Sequence, residues 1–358
     1  MRRLSILACL LLTSACQYFP KLSPFGSRWR DDLVRVDGEE QNGPVRVYFT
    51  TPDDPHRTGN PADVCCSAID ACRTSIDVAA FELDNVVITN ALCRAVDRGV
   101  KVRLVTDSDY IQERGVEILK SSGVPVVEDK RSALMHNKFM VLDGQAVWTG
   151  SMNFTENCAY KNNNHGILIV NPQVAENYAT KFDWFFEDRK FGSKPTKEST
   201  IPTPHVKLKD GTPVETYFST HDHPAVTVIE ELHKAKKTIH FLAFSFTHKD
   251  IGGAMREAIG RGVTVGGVFE KSQAGSGHSQ FEPLRSLGAD VRIDGNPKNM
   301  HHKLIIIDGE TVIAGSFNFS SSADQSNDEN LVVIRNRDIA KRCEAEWNRV
   351  MEKAEPTP

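Results

Sequence analysis

Two histidines, two lysines and two asparagines recur in this chain at one fixed spacing. Residues 135–154 read MHNKFMVLDGQAVWTGSMNF and residues 300–319 read MHHKLIIIDGETVIAGSFNF. The segments align without a gap at an offset of 165 and agree at 10 of 20 positions, where average composition gives roughly one by chance. Each copy holds H-x-K-x4-D followed by G-S-x-N. The first supplies His136, Lys138, Asp143, Ser151 and Asn153, the second His301, Lys303, Asp308, Ser316 and Asn318. A neutral imidazole is a nucleophile near neutral pH, and an imidazolium is an acid there. One histidine from each copy can divide those two tasks within one site. Lysine and asparagine donors from both copies can surround a tetrahedral anion. Phosphoryl transfer depends on positioning and charge stabilisation. The pattern therefore implies attack on phosphorus, with protein cations where other enzymes use a metal.

The elements around these residues follow from their periodicity. Phe139 to Leu142 is an apolar run ending at Asp143-Gly144, which predicts a strand entering a tight turn, and Ala146 to Thr149 is the returning strand. Residues two apart on a strand face the same way, so His136 and Lys138 project together, as do His301 and Lys303. Asp143 and Asp308 read equally as turn formers and as electrostatic partners. Ser151 and Ser316 read as support, as helix caps or as contacts to the phosphate.

At these residues the chain resembles the phospholipase D superfamily, whose signature is the H-x-K-x4-D motif with a trailing G-S-x-N. The resemblance covers both motifs and, more loosely, residues 45–350. It implies a phosphodiesterase with a covalent phosphohistidine intermediate and no required metal or other cofactor. His136 would attack phosphorus. His301 would protonate the leaving oxygen and then activate the water or alcohol that releases the product. Lys138, Lys303, Asn153 and Asn318 would hold the phosphate, with Ser151 and Ser316 beside them. The family often carries a carboxylate beyond the second motif to orient a histidine, and here the order is Asn327-Asp328-Glu329-Asn330. Glu329 is expected in that role. The first copy has Asn163-Asn164-His165-Gly166. His165 stands opposite Glu329 when the following strands are aligned, and Asn164 when the motif offset is kept. The two half-sites are therefore not equivalent, and His165 is left unassigned.

Helical and strand patterns alternate in the same order in both halves, and Arg98-Gly99-Val100 matches Arg261-Gly262-Val263 as a helix stop before a strand. This predicts an α/β protein of two similar α-β-α layered domains, residues 45–189 and 214–352, joined by a proline-containing linker, 190–213. They would pack as a pseudo-dimer within a monomer, with the active site at their interface on a pseudo-twofold axis. Trp184 and Trp347, one in the last helix of each half, read as core residues. Lys271 to Gln280, KSQAGSGHSQ, reads as a flexible flap bearing an exposed His278. His221 and His223 have metal-like spacing but no third ligand nearby.

The chain has 358 residues and a formal net charge of −4, more acidic still without Arg2 and Arg3. It thus lacks the global field of a non-specific nucleic-acid binder. Leu4 to Ala15 is an apolar run too short to span a membrane. It is laid out as a secretory signal ending in Thr13-Ser14-Ala15-Cys16. That box resembles a bacterial lipoprotein cleavage site, with residues 1–16 as signal, Cys16 as the lipidated residue and 17–44 as a tether; a plain signal peptide is the alternative. The implied place is the bacterial envelope, with the chain lipid-anchored to the outer membrane and facing the periplasm. Pairing among the remaining six cysteines is not legible, and no C-x-x-C spacing suggests zinc. The expected function is hydrolysis of phospholipid phosphodiester bonds. The alternatives are a metal-independent endonuclease, with nucleic acid as substrate, and a phosphatidyl transferase resembling cardiolipin synthase.

Overall fold

The computed structural model describes residues 41, 43–192 and 200–355. The first half runs β1 (Val45–Phe49), α1 (Pro61–Ala71), β2 (Ser75–Ala80), α2 (Val86–Asp97), β3 (Lys101–Thr106), α3 (Arg114–Ser121), β4 (Val126–Glu128), β5 (Lys138–Leu142), β6 (Ala146–Gly150), α4 (Glu156–Tyr160), β7 (His165–Val170) and α5 (Pro172–Phe186). The second runs β8 (His205–Lys207), β9 (Pro213–Phe218), α6 (Pro224–Lys234), β10 (Thr238–Ala243), α7 (Lys249–Gly260), β11 (Thr264–Phe269), α8 (Lys271–Ala274), α9 (Phe281–Arg285), β12 (Asp290–Ile293), β13 (Lys303–Ile307), β14 (Thr311–Gly315), α10 (Ser321–Gln325), β15 (Asn330–Arg335) and α11 (Arg337–Lys353). The fold is α/β, with two similar halves.

Each half is a mixed sheet. The first has the order β1-β7-β6-β5-β2-β3-β4 and the second β12-β11-β10-β13-β14-β15-β9-β8. β2, β3 and β4 pair in parallel, as do β10, β11 and β12, while the motif hairpins β5–β6 and β13–β14 pair antiparallel. The helices between parallel strands cover the outer face of each sheet, because a parallel crossover must return over one face. Their termini are written in the sequence. Asn85 caps α2 through Val87 and Ile88 N–H groups, and Gly99 ends it at φ 81°; Gly262 ends α7 at φ 87°.

The inner faces meet in one core drawn from both halves. Phe139, Tyr178, Phe182 and Val147 lie in it with Phe218, Leu304, Ile306 and Cys343. Helices α5 and α11 form this inner layer, and α11 crosses to pack on β1 of the first half. Trp184 and Trp347 are only partly buried and rest on this core. Two outer clusters lie under α1–α3 and under α6, α7 and α9. All six described cysteines are free thiols.

Two stretches are more ordered than their composition predicts. Part of the expected linker is strand: β8 pairs with β9 at the sheet edge. The glycine- and serine-rich segment opens with α8, capped by Glu270 through Ser272 N–H, and closes where Gln280 N–H donates to the Phe246 carbonyl. Its expected freedom is thereby confined to the middle, where His278 is exposed. The signal, Cys16 and most of the tether fall outside the described residues.

Candidate active site

The two motifs come together because each half supplies a strand-like bridge to the other. His136 N–H donates to the Asp328 carbonyl at 2.9 Å, and His301 N–H donates to the Asn163 carbonyl at 2.8 Å. The preceding residues are held from within their own half. Met135 N–H donates to Asp107 Oδ2 and Met300 N–H to Glu270 Oε2, at 2.9 and 2.7 Å. Asp107 and Glu270 end β3 and β11, so the parallel strands set the depth of each histidine.

Glu329 Oε2 lies 2.7 Å from His136 Nδ1 and 2.6 Å from Ser316 Oγ. Both neighbours bring a proton to one oxygen, so Oε2 accepts from both and Nε2 of His136 is left with its lone pair. The mirror arrangement uses an amide. Asn164 Oδ1 lies 2.9 Å from His301 Nδ1 and accepts from Ser151 Oγ at 2.9 Å, while its Nδ2 donates to the Cys158 carbonyl. Each orienting group thus comes from the half opposite its histidine. The serines are braces: each accepts a backbone N–H of the following strand, from His165 and from Asn330. Gly150 and Gly315, at φ 143° and 145°, permit this, since a Cβ there would stand 2.3 Å from the His165 or Asn330 carbonyl oxygen.

Lys138 Nζ donates to the His136 carbonyl at 2.6 Å and lies 4.8 Å from the centre of the Phe81 ring. Lys303 Nζ repeats this with the His301 carbonyl at 2.8 Å and Phe244 at 4.8 Å. Phe81 and Phe244 also stand edge-on to His136 and His301, at 4.8 and 4.7 Å. Both lysines are 1% exposed. Burial pulls Lys138 down to about 8, and burial with Lys138 nearby pulls Lys303 well below its usual value. His136 and His301 are held well below 6.5, first by burial and then by the two lysines. Burial pushes Glu329 up to about 8 against the pull of Lys138. These five groups are close enough to influence one another.

Asn153 joins them, donating Nδ2 to Glu82 Oε2, and the Oδ1 atoms of Asn153 and Asn318 are buried without a partner. Asp143 and Asp308 do not join them. Asp143 sits at φ 52° and accepts from the backbone N–H groups of Arg73, Thr74 and Ser75; Asp308, at φ 54°, accepts from those of Lys236, Lys237 and Thr238. These are the far ends of β5 and β13, about 17 Å along the strand from the lysines. Of the two expectations for this pair, the geometry is that of the turn former. Four other site residues lie outside the two motifs. Asn164 follows from keeping the 165 offset, Phe81 and Phe244 from the helix-stop offset of 163, and Glu82 from neither. His165 faces His302 across the interface.

A family model described as cardiolipin synthase, phospholipase D-like domain, matches residues 65–186 and again 228–351. The chain belongs to the phospholipase D-like family. Its relatives include a mitochondrial cardiolipin hydrolase of Xenopus tropicalis, 29% identical over 162 residues, spanning 45% of this chain and 70% of that protein. They also include a phospholipase D of Rickettsia prowazekii, 35% identical over 120 residues, spanning 34% of this chain and 58% of that protein. The phosphatidylserine synthase of Haemophilus influenzae Rd KW20 shares the fold, with a TM-score of 0.67 at 14% identity over 88% of this chain and 87% of that one. With its named hydrolase relatives, this phospholipase D-like chain is a hydrolase of the phosphodiester-acting class. The family model covers each H-x-K motif once, so each matched segment carries half of the site.

Proposed function

We propose that the chain is a phospholipase D that hydrolyses phospholipid phosphodiester bonds through a phosphohistidine. The observation that carries this reading is the unequal pair of partners on the two histidines. A carboxylate on Nδ1 of His136 fixes the tautomer, directs the Nε2 lone pair at phosphorus and stabilises the cation formed when the N–P bond closes. An amide on Nδ1 of His301 fixes the ring without neutralising the imidazolium, which keeps it a strong acid. The leaving P–O bond breaks as His301 Nε2–H gives its proton to the departing alcohol. His301 then takes a proton from water, whose oxygen attacks phosphorus as the P–N bond breaks, giving phosphatidic acid and restoring both histidines. Lys138 and Lys303 stabilise charge on the two non-bridging oxygens throughout.

Cys16, if lipidated, would hold this site at a membrane surface beside such a substrate. The test uses the full chain in detergent, in EDTA, with phospholipid vesicles and single-stranded DNA together. Phosphatidic acid is expected with intact DNA, and His136→Ala and His301→Ala should each lower turnover by at least about 10³-fold. DNA fragments with intact lipid would transfer the reading to a nuclease; near-normal turnover by either variant would remove the two-histidine scheme.

A further inference from the structure

The frame around the two lysines is symmetric and the residue that follows it is not. Strands β2 and β10 lead into Phe81-Glu82-Leu83-Asp84 and Phe244-Ser245-Phe246-Thr247. Both phenylalanines sit under their lysine and beside their histidine. Next comes Glu82 in one half and Ser245 in the other. Glu82 accepts from Asn153, and Tyr110, edge-on to Phe81 at 4.7 Å, hydrogen-bonds to Glu82. Burial and the nearby Glu82 push the Tyr110 phenol up to about 12, so it remains a donor. Asp84 and Glu113 stand behind, tied to the Glu156 and Leu83 N–H groups. Lys138 is the cation whose charge state Glu82 most directly supports.

A carboxylate only accepts, so the Asn153 amide must turn its nitrogen to Glu82 and its oxygen away. That oxygen is buried, has no partner, and belongs to a side chain 5% exposed. This flank of the site therefore offers acceptors and negative charge, where a phosphate alone would want donors. A zwitterionic phosphodiester enters such a site without adding net charge. A phosphodiester of a neutral alcohol brings no cation to offset its phosphate beside Glu82, and a nucleic acid sets further phosphates there; like charges in a desolvated contact are costly.

We infer that Glu82 and Asn153 select a phosphodiester whose alcohol bears a primary ammonium group, the ammonium giving its charge to Glu82 and an N–H to Asn153 Oδ1. This rests on the phospholipase reading and names its head-group class. A quaternary ammonium satisfies the charge and leaves Oδ1 unpaired, so it should rank second.

The test compares kcat/KM of the full chain for phosphatidylethanolamine, phosphatidylcholine and phosphatidylglycerol of one acyl composition in mixed micelles. Wild type should favour the ethanolamine lipid over the glycerol lipid by about tenfold or more, the value of one good charged contact. Glu82→Gln should shrink that ratio by about tenfold, through a higher KM for the ethanolamine lipid and a gain on the glycerol lipid. Glu82→Ser, which copies Ser245, should do the same. An unchanged ratio in Glu82→Gln, an equal loss of kcat on all three lipids, or a wild-type preference for phosphatidylglycerol would overturn the inference. Cleavage of no lipid by wild type would instead overturn the phospholipase reading beneath it.

Discussion

An imidazole that attacks phosphorus and one that protonates an alcohol need different partners, and here one ring faces a carboxylate and the other an amide. Glu329 and Asn164 occupy the same place in the two halves, each braced by a serine, each facing Nδ1 of the other half's histidine. Asn164→Asp would put a carboxylate on both. The added charge favours the imidazolium, so the His301 pKa must rise from its depressed position. With His301 as the proposed acid, kcat/KM falls as pH rises through that pKa. The alkaline limb of the pH profile should therefore move upward by about one unit, with lower kcat at the optimum because the acid is weaker. A limb that stays in place or moves down would exclude His301 as the proton donor. This partner was half legible in sequence. Keeping the motif offset points to Asn164, aligning the strands points to His165, and nothing in one sequence decides between them. The decision comes from the strand register, which keeps the motif offset: Gly150 pairs with Gly166 as Gly315 pairs with Leu331.

Among the elements, the motif hairpins were plain to read and their aspartates were not. An Asp-Gly pair between apolar runs gives the turn whatever else the aspartate does. What fixes its place is the start of the neighbouring strand, β2 or β10, which is distant in sequence. Asp143 draws three N–H groups of residues 73–75 onto its carboxylate, and burial is outweighed by these bonds, so its pKa is lowered from 3.8. Asp143→Ala should lower stability by about 2 kcal/mol at neutral pH while the protein that remains folded keeps its turnover. A group whose folded pKa is depressed contributes above its unfolded value, and the contribution fades as pH falls through the folded one. The gap between variant and wild type, read from denaturant midpoints, should therefore close below about pH 4. A loss of kcat without loss of stability would return Asp143 to the chemistry. The short elements α8, α9, β8 and β12 escaped sequence reading for a related reason: too few residues carry a period, and their order is supplied by caps and edge pairing from elsewhere.

Across the whole molecule, the pseudo-twofold axis sets an amide pair against an imidazole pair. Asn330 Nδ2 donates to Asn137 Oδ1 at 2.9 Å, and at the mirrored positions His165 Nδ1 and His302 Nδ1 lie 3.1 Å apart. His302 Nε2 faces Glu346 Oε1 at 2.9 Å, and Arg349 clamps Glu346 through two contacts of 2.7 Å. A clamped carboxylate accepts, so His302 carries its proton on Nε2 and takes the proton of His165 on Nδ1. Only one proton fits between the rings. Burial pulls both histidines below 6.5, and for His165 the neighbouring His302 adds to it. The unfolded chain binds protons at these positions below about pH 6.5 and the native chain binds them only at lower pH. Stability must then fall as pH drops from that value, by at most roughly 1 kcal/mol per histidine per unit. Replacing the pair by its mirror, His165→Asn with His302→Asn, removes both titrations. Between pH 6.5 and 5.5 the double variant should lose less stability than wild type, by up to roughly 2 kcal/mol, whatever its stability at neutral pH, because the comparison is between slopes. Urea denaturation at the two pH values measures it. Equal losses would mean that the imidazole pair opens or takes up a proton without separating the halves. The acid sensitivity of the protein would then rest on His221, His136 and His301, whose pKa values are also lowered by burial.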